Sequence, residues 1–473
     1  MKLKYIQEPE LEFAQGKHIC PRAGISAFHT YESKNDYRKK EINVGGVGTS
    51  DNLGKLADWI TKCSHFIPQK TENNHPHLYP SFDGFSAQSG FMANLQYGEA
   101  LAKDLNNSDI KRIIKIANDN DRITQAIDLY YEKVKFIAQH RNVDLITCVI
   151  PNELFPYISK EVRTDHEETI EGEETEKTDF ELNFRRALKA KSMHLGKPLQ
   201  LVREQSLTPS RFNQDEATKA WNFCTAAYYK AGQIPWRLPH NINRPSVCFV
   251  GISFYKSRDK KVTHTSLAQI FDELGNGVIL RGTPVKIDER DRKPHLESEQ
   301  AFDLLKGALS EYNLAMETFP ARLVIHKSSN YNQEELDGFR NAVYDMGISK
   351  VDFVTLLDSD IRMLRDAMYP PLRGTQIELD KNIRLLYTKG SVEYYRTYPG
   401  PYIPQPLEIR IVESDTSPDI ICEEILALTK MNWNNTQFDG KYPITMVCAR
   451  KVGEVMKYLD RHEKAQIKYG FYM

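Results

Sequence analysis

Residues 143–151 read VDLITCVIP, residues 184–196 read FRRALKAKSMHLG, and residues 199–204 read LQLVRE. The first is a short apolar run rich in β-branched side chains, and the second leads as a helix into the third, another strand. Strand, helix, strand in that order is a βαβ rhythm, which builds a parallel sheet. Downstream, EATKAWNFCTAAYYKAG (216–232) is a helix of Ala-rich helix formers, closed by Gly232 past its last turn and followed by Pro235. The rhythm changes at Trp236. SVCFVGISFY (246–255), ARLVIHK (321–327) and KVDFVTLL (350–357) read as buried strands, and NQEELDGFRNAVYDMG (332–347) as a helix stopped by Gly347, so a second α/β sheet is expected. Near the front, LEFAQG (11–16) and CPRAGIS (20–26) have strand-and-turn character, and pattern alone leaves open which sheet they join.

The 473 residues suffice for two to four domains. At 40% hydrophobic and 27% charged, with 21 Phe, 24 Tyr and 4 Trp, the composition is that of a folded protein rather than a disordered one. Seven Cys stand singly, with no CxxC and no Cys/His cluster, which argues against a disulfide framework and a structural zinc site and fits a reducing cytoplasm. The opening MKLKYIQEPE lacks an apolar core, and no apolar stretch nears the roughly eighteen residues needed to span a bilayer, so neither secretion nor a membrane partner is expected.

The formal net charge of −1 hides an asymmetry. Between Phe184 and Val262 there are 15 Lys/Arg against 4 Asp/Glu, a local net of +11, while the remainder sums to −12. One region is built to face an anion. The opposite extreme, DHEETIEGEETEKTD (165–179), carries eight carboxylates and a lone Ile, and reads as a solvated loop.

Within the basic region Arg185 and Lys189 are four apart and share a helix face, Gln200 follows the GKP turn at the start of the next strand, and Lys230 lies in the last turn of the next helix. Two cations and an amide converging from neighbouring elements are what a terminal phosphate needs. Spacing alone equally allows solvated helix faces, with Lys230 merely serving a helix dipole. Elsewhere Asp259 and the pairs Asp272–Glu273, Asp288–Glu289 and Glu334–Glu335 are expected to be solvated rather than metal-holding, and His326 structural. There is no Walker-type loop, GxSxG elbow or HExxH.

ALKAKSMHLGKPLQLV (187–202) and KAWNFCTAAYYKAGQIPW (219–236) resemble the MID domain of Argonaute proteins. The resemblance implies a Rossmann-like fold in which Lys189, Gln200 and Lys230 grip the 5′-phosphate of a guide strand. Arg185 stands where the family commonly has Tyr or His. It also implies that a C-terminal carboxylate enters this pocket with a bound Mg²⁺, a role that falls on Met473 at the end of the apolar YGFYM. CFVGISFYK (248–256), GNGVILRG (275–282), LVIHKSSNYNQEEL (323–336) and MNWNNTQFDGKYPITMVCARKVGEVM (431–456) resemble successive blocks of a PIWI domain, an RNase H-like fold. IQEPELEFAQG (6–16) and CPRAGIS resemble the opening of short prokaryotic Argonautes, which consist of MID and PIWI alone. The expected division is 1–50 as an N-terminal segment packing on the PIWI side, 51–235 as MID and 236–473 as PIWI.

An active PIWI domain needs carboxylates to hold two metal ions at the scissile phosphate. Matched to that pattern, the chain has Ile252 at the first position, Ser328 at a later one and Arg450 at or beside the last. Ile, Ser and Arg cannot hold Mg²⁺ pairs. The resemblance therefore implies guide-RNA-directed recognition of a DNA target without slicing, coupled to an APAZ-containing effector with a sirtuin-like or TIR domain that consumes NAD⁺ in defence against plasmids or phage. The other readings are a guided endonuclease with a displaced active site, a recognition subunit for a nuclease effector, and an α/β protein that binds a mononucleotide.

Overall fold

The run at 143–151 becomes the middle of a parallel sheet. In the computed structural model, which describes residues 2–159, 182–208, 214–239, 246–258, 261–270, 277–287, 293–366, 370–400, 402–437, 440–459 and 465–473, β1 (Glu41–Gly48), β2 (Leu145–Ile150) and β3 (Leu199–Arg203) lie side by side. Val44 is opposite Leu145, and Thr147 opposite Gln200. Asn94–Gln96 and Ala102–Asp104 continue the sheet beyond β1, also in parallel. Every residue of β2 is buried, as expected when helices cover both faces. α1 (Ser50–Cys63) packs on the face of Val44 and Leu145, and α2 (Asp119–His140) on the face of Ile146 and Cys148. α3 (Phe184–Ser192) and α4 (Glu216–Lys230) complete the layer; each is opened by a side chain that accepts from a first-turn N–H, Asn183 from Arg186 and Asp215 from Thr218. Gly232, at φ +88°, turns the chain out of α4 through a left-handed conformation.

Among the described residues the second sheet has ten strands. Its centre is parallel: β4 (Val247–Lys256), β7 (Arg322–Lys327) and β8 (Lys350–Asp358) lie in the order β4, β7, β8. β5 (Thr263–Ile270), β6 (Gly277–Ile287) and Pro294–His295 extend it antiparallel beyond β4. β9 (Leu407–Glu413), Ile383–Leu386, Thr375–Glu378 and finally Lys2–Tyr5 do so beyond β8. α5 (Ser298–Met316) and α6 (Gln333–Asp345) bury one face over Val250, Ile252, Leu323 and Ile325. α7 (Pro418–Leu428) and α8 (Ile444–Met456) cover the other, and their core runs on without a break into α1 and α4 of the small sheet, with Tyr229 of α4 packed on Trp433 and Trp236 donating to the Lys430 carbonyl. Among the described residues no helix is long and apolar enough to cross a membrane.

The front of the chain departs in part from its strand-and-turn reading. CPRAGIS lies almost wholly in a helix, Pro21–Phe28, with Pro21 in its first turn and Gly24 set so close to Phe13 that a Cβ would fall 2.1 Å from the ring. Leu11–Glu12 pairs with Lys17–His18 in a hairpin outside both sheets, and Glu12 also bridges Arg237 antiparallel, while Lys2–Tyr5 joins the large sheet. The small sheet starts at Glu41 rather than 51, because β1 feeds α1 directly and Thr49 caps it, accepting from Asn52 N. The acidic stretch 165–179, Asp259, Asp272–Glu273 and Asp288–Glu289 lie outside the described residues.

Candidate anion-binding site

The last turns of α3 and α4 and the first residues of β3 open toward the junction of the two sheets, and the basic residues singled out in the sequence meet there. Lys189, half-buried, donates from Nζ to the main-chain oxygen of Met473. Burial first, then the positive charges of Lys230, Lys451, Arg185 and Arg186, hold its ammonium well below the usual lysine range. Lys230 is buried and reaches Asn434 Oδ1 at 3.5 Å; burial, then Lys451, bring its pKa down to about 7. Gln200 donates from Nε2 to the Phe223 carbonyl at 3.3 Å, and its buried Oε1 has no partner among the described residues. Arg185 lies one turn before Lys189, while Arg186 is tied to Glu454 of α8 at 2.6 Å.

Met473 is only 5% exposed. Its tail is held by Tyr472 Oη donating to the Gln466 carbonyl at 2.8 Å, and Gly470 lies against Tyr229 and Lys230 of α4. Tyr229 in turn packs at 4.7 Å on Trp433, next to Asn434.

This arrangement crowds like charges in a poorly solvated place, which raises the free energy of the empty site and favours an anion. Lys451 and Asn434 escaped the sequence reading. Lys451 follows Arg450 on α8, and nothing in its local sequence marks it as a cation acting on Lys189 and Lys230 of the other half. For a divalent cation, the donors present are oxygens, Met473 O and Gln200 Oε1, and among the described residues no group of three or more His, Cys, Asp or Glu could hold a metal. A terminal oxygen of Met473 and the neutral Gln200 Oε1 are too few to hold Mg²⁺ amid these cations, so it fits only together with an anionic ligand that supplies further oxygens.

The positions matched to catalytic carboxylates are different in kind. Ile252 is fully buried in the α5–α6 core, its side chain turned away from Gly251 and Ser253, which face α8. Ser328 is the residue after β7, and the preceding Lys327 is buried in an ion pair of 2.8 Å with Glu335. Glu335, expected to be solvated, is instead buried and satisfied by Leu296 N, Asn332 N and His295 as well. His326 pairs its Nδ1 with Thr445 Oγ1 at 2.9 Å, and burial, reinforced by Arg322, lowers its pKa to about 3, so the ring stays neutral. Arg450 stacks 4.1 Å over the Tyr442 ring. Tyr442 donates to Asp358, which also pairs with Lys441; burial would raise the Asp358 carboxyl, but these partners outweigh it and hold it below its usual value.

No family model matches the chain, and no curated protein matches its sequence. Solved structures do. Clostridium butyricum Argonaute bound to a guide DNA and a 19-mer target DNA superposes with a TM-score of 0.68 at 16% identity, over 98% of this chain and 53% of that one. Drosophila Piwi gives 0.61 at 14% identity, over 100% and 56%. Marinitoga piezophila Argonaute in complex with a 5′-OH guide RNA gives 0.57 at 14%, over 100% and 59%. The chain thus spans little more than half the length of these proteins, at identities where likeness is one of fold. Its two sheets, joined through a common core with the cation cluster at their junction, form an Argonaute-like α/β fold.

Proposed function

We propose that the chain binds the 5′-phosphorylated end of a guide RNA between its two sheets and recognises complementary target DNA without cutting it. The observation that carries this reading is the convergence of Lys189, Lys230 and Lys451 beside Met473 at the junction, where burial and like charges lower the basicity of both Lys189 and Lys230. A terminal phosphate supplies the missing negative charge. Mg²⁺ bound with it would add charge neutralisation at the 5′ end, held by the oxygens of Met473 and Gln200. Arg185, beside Lys189, would face the first nucleotide.

The absence of slicing rests on Ile252, Ser328 and Arg450. An apolar side chain inside a core, a hydroxyl and a guanidinium replace the carboxylates that two-metal cleavage requires. A protein that finds a target and cannot cut it acts through a partner, and the short prokaryotic Argonautes that the sequence resembles point to an APAZ-containing effector that consumes NAD⁺ in defence of the cell. The deciding experiment incubates the purified chain with a guide and a labelled complementary strand in Mg²⁺ or Mn²⁺. Retention of the target uncut, with 5′-phosphate guides preferred over 5′-hydroxyl ones, is the expected result. Cleavage at a fixed position would replace this reading with a guided endonuclease, and equal affinity for a nucleoside monophosphate with that of an oligonucleotide would reduce it to mononucleotide binding.

A further inference from the structure

At the outer edge of the large sheet, Lys2–Tyr5 pairs among the described residues only with Thr375–Glu378, and all four of its residues are exposed. The chain just beyond it is pinned by a buried ion cluster. Glu8 accepts from Arg373 Nε at 2.9 Å and from Lys430 at 3.1 Å. The other donors of Arg373 go to the Thr388 and Leu426 carbonyls and to Thr429 Oγ1, and Lys430 also donates to the Pro9 carbonyl. Both cations are engaged by the protein itself.

Beside this cluster lies a cavity of about 240 Å³, lined by Tyr5, Gln7, Glu8, Arg373, Glu393 and Tyr394 among others. Its charges differ in how they are used. Glu393 is exposed and has neither an ion pair nor a side-chain hydrogen bond among the described residues. The Tyr5 hydroxyl lies in the field of Glu393 and Glu8, which, after burial, push it above the usual phenol range. Tyr394 is braced by the rings of His18 at 5.2 Å and His77 at 4.8 Å. A carboxylate with no direct ion pair beside two phenol rings is the chemistry that takes a cation, because ring faces and carboxylate attract positive charge together. An anion would meet Glu393 and find the donors of Arg373 already taken. The volume suits a single headgroup, being below the ~300 Å³ at which pockets for larger ligands begin.

We infer that this cavity binds an organic cation, a guanidinium or alkylammonium group, held by Glu393 and the rings of Tyr5 and Tyr394. The cation comes either from a free small molecule or from an Arg or Lys side chain on an extended protein segment laid along the open edge of Lys2–Tyr5, since Tyr5 belongs to both features. The test titrates the full chain, by calorimetry or NMR, with L-argininamide and with an extended Thr/Val peptide carrying one central arginine; the same peptide with citrulline is the neutral isostere. The expected result is saturable binding of at least one arginine probe, none of the citrulline peptide, and roughly tenfold weaker binding after Glu393→Gln or Tyr394→Leu. Argininamide binding as tightly as the peptide identifies a small-molecule ligand, and tighter peptide binding identifies a protein segment; either supports the inference. Glu393 is exposed, so Glu393→Gln should keep the melting temperature and guide binding of the parent. No saturable binding of either probe up to about 20 mM, or affinity unchanged by Glu393→Gln, overturns it.

Discussion

Lys189 and Lys230 arrive from different helices at one place, where burial lowers the basicity of both and the charge of Lys230 lowers that of Lys189 further. If both grip a phosphate, replacing both with Ala removes two charge-assisted contacts worth roughly 1.5–3 kcal/mol each, so affinity for a 5′-phosphorylated guide should fall by about two to four decades, read by filter binding, while a 5′-hydroxyl guide changes little. The pKa of about 7 at Lys230 adds a pH signature. From pH 6 to 9 the ammonium is lost in the free protein, so phosphate-dependent affinity should decline over that range, and Lys230→Arg, which keeps its charge, should flatten the decline. Stability moves the other way. Between about pH 7 and the ordinary lysine value of 10.5 the unfolded chain holds a proton that the folded site does not, so this residue's contribution makes the protein more stable as pH rises through that window.

At the scale of elements, the β7–α6 unit is held by a buried charge pair, not by packing alone. Glu335→Ala would leave the buried Lys327 ammonium without its countercharge and should cost about 3–5 kcal/mol, seen as a lower urea midpoint. Adding acids back should not create a nuclease: Ile252→Asp places a carboxylate inside the α5–α6 core, so Ile252→Asp with Ser328→Asp is expected to lose stability and leave a labelled target uncut in Mn²⁺. Of the strands, β2, β4, β7 and β8 were legible because they are largely buried on both faces and so read as unbroken apolar runs, whereas β1, β9, α1, α2, α5 and α7 were not picked out by pattern. The helix at Pro21–Phe28 was not, since its eight residues include Pro and Gly that read as a turn, and its glycine answers to Phe13, a contact no local pattern contains. The elements carrying Lys189, Gln200 and Lys230 were legible, but spacing alone equally allowed solvated helix faces, and the burial and proximity of the two lysines depend on packing between helices. Lys451, Asn434 and the buried role of Glu335 were not, because each depends on contacts between segments distant in sequence.

Taken whole, the molecule is two sheets sharing one apolar core, which leaves little freedom for either to move alone. A guide–target duplex read through its backbone should bind with strong salt dependence and little dependence on sequence among equally complementary pairs, measured as the slope of log affinity against log salt. If an NAD⁺-consuming effector is the output, NAD⁺ loss in the reconstituted complex should require guide and target together. Biasing such a switch from about 1:99 to 99:1 takes about 5.5 kcal/mol of differential binding, which a seated duplex must provide. Equal NAD⁺ loss without nucleic acid would exclude that arrangement.

The cation pocket is also divided property. Lys189, Gln200 and Lys230 come from the small-sheet half, while Met473, Asn434 and Lys451 come from the large-sheet half. A ligand seated there therefore works as a rivet between the plates, and pulling the halves apart must first eject it. Saturating a 5′-phosphorylated guide should then raise the melting temperature by mass action and sharpen a calorimetric transition that is broader without it.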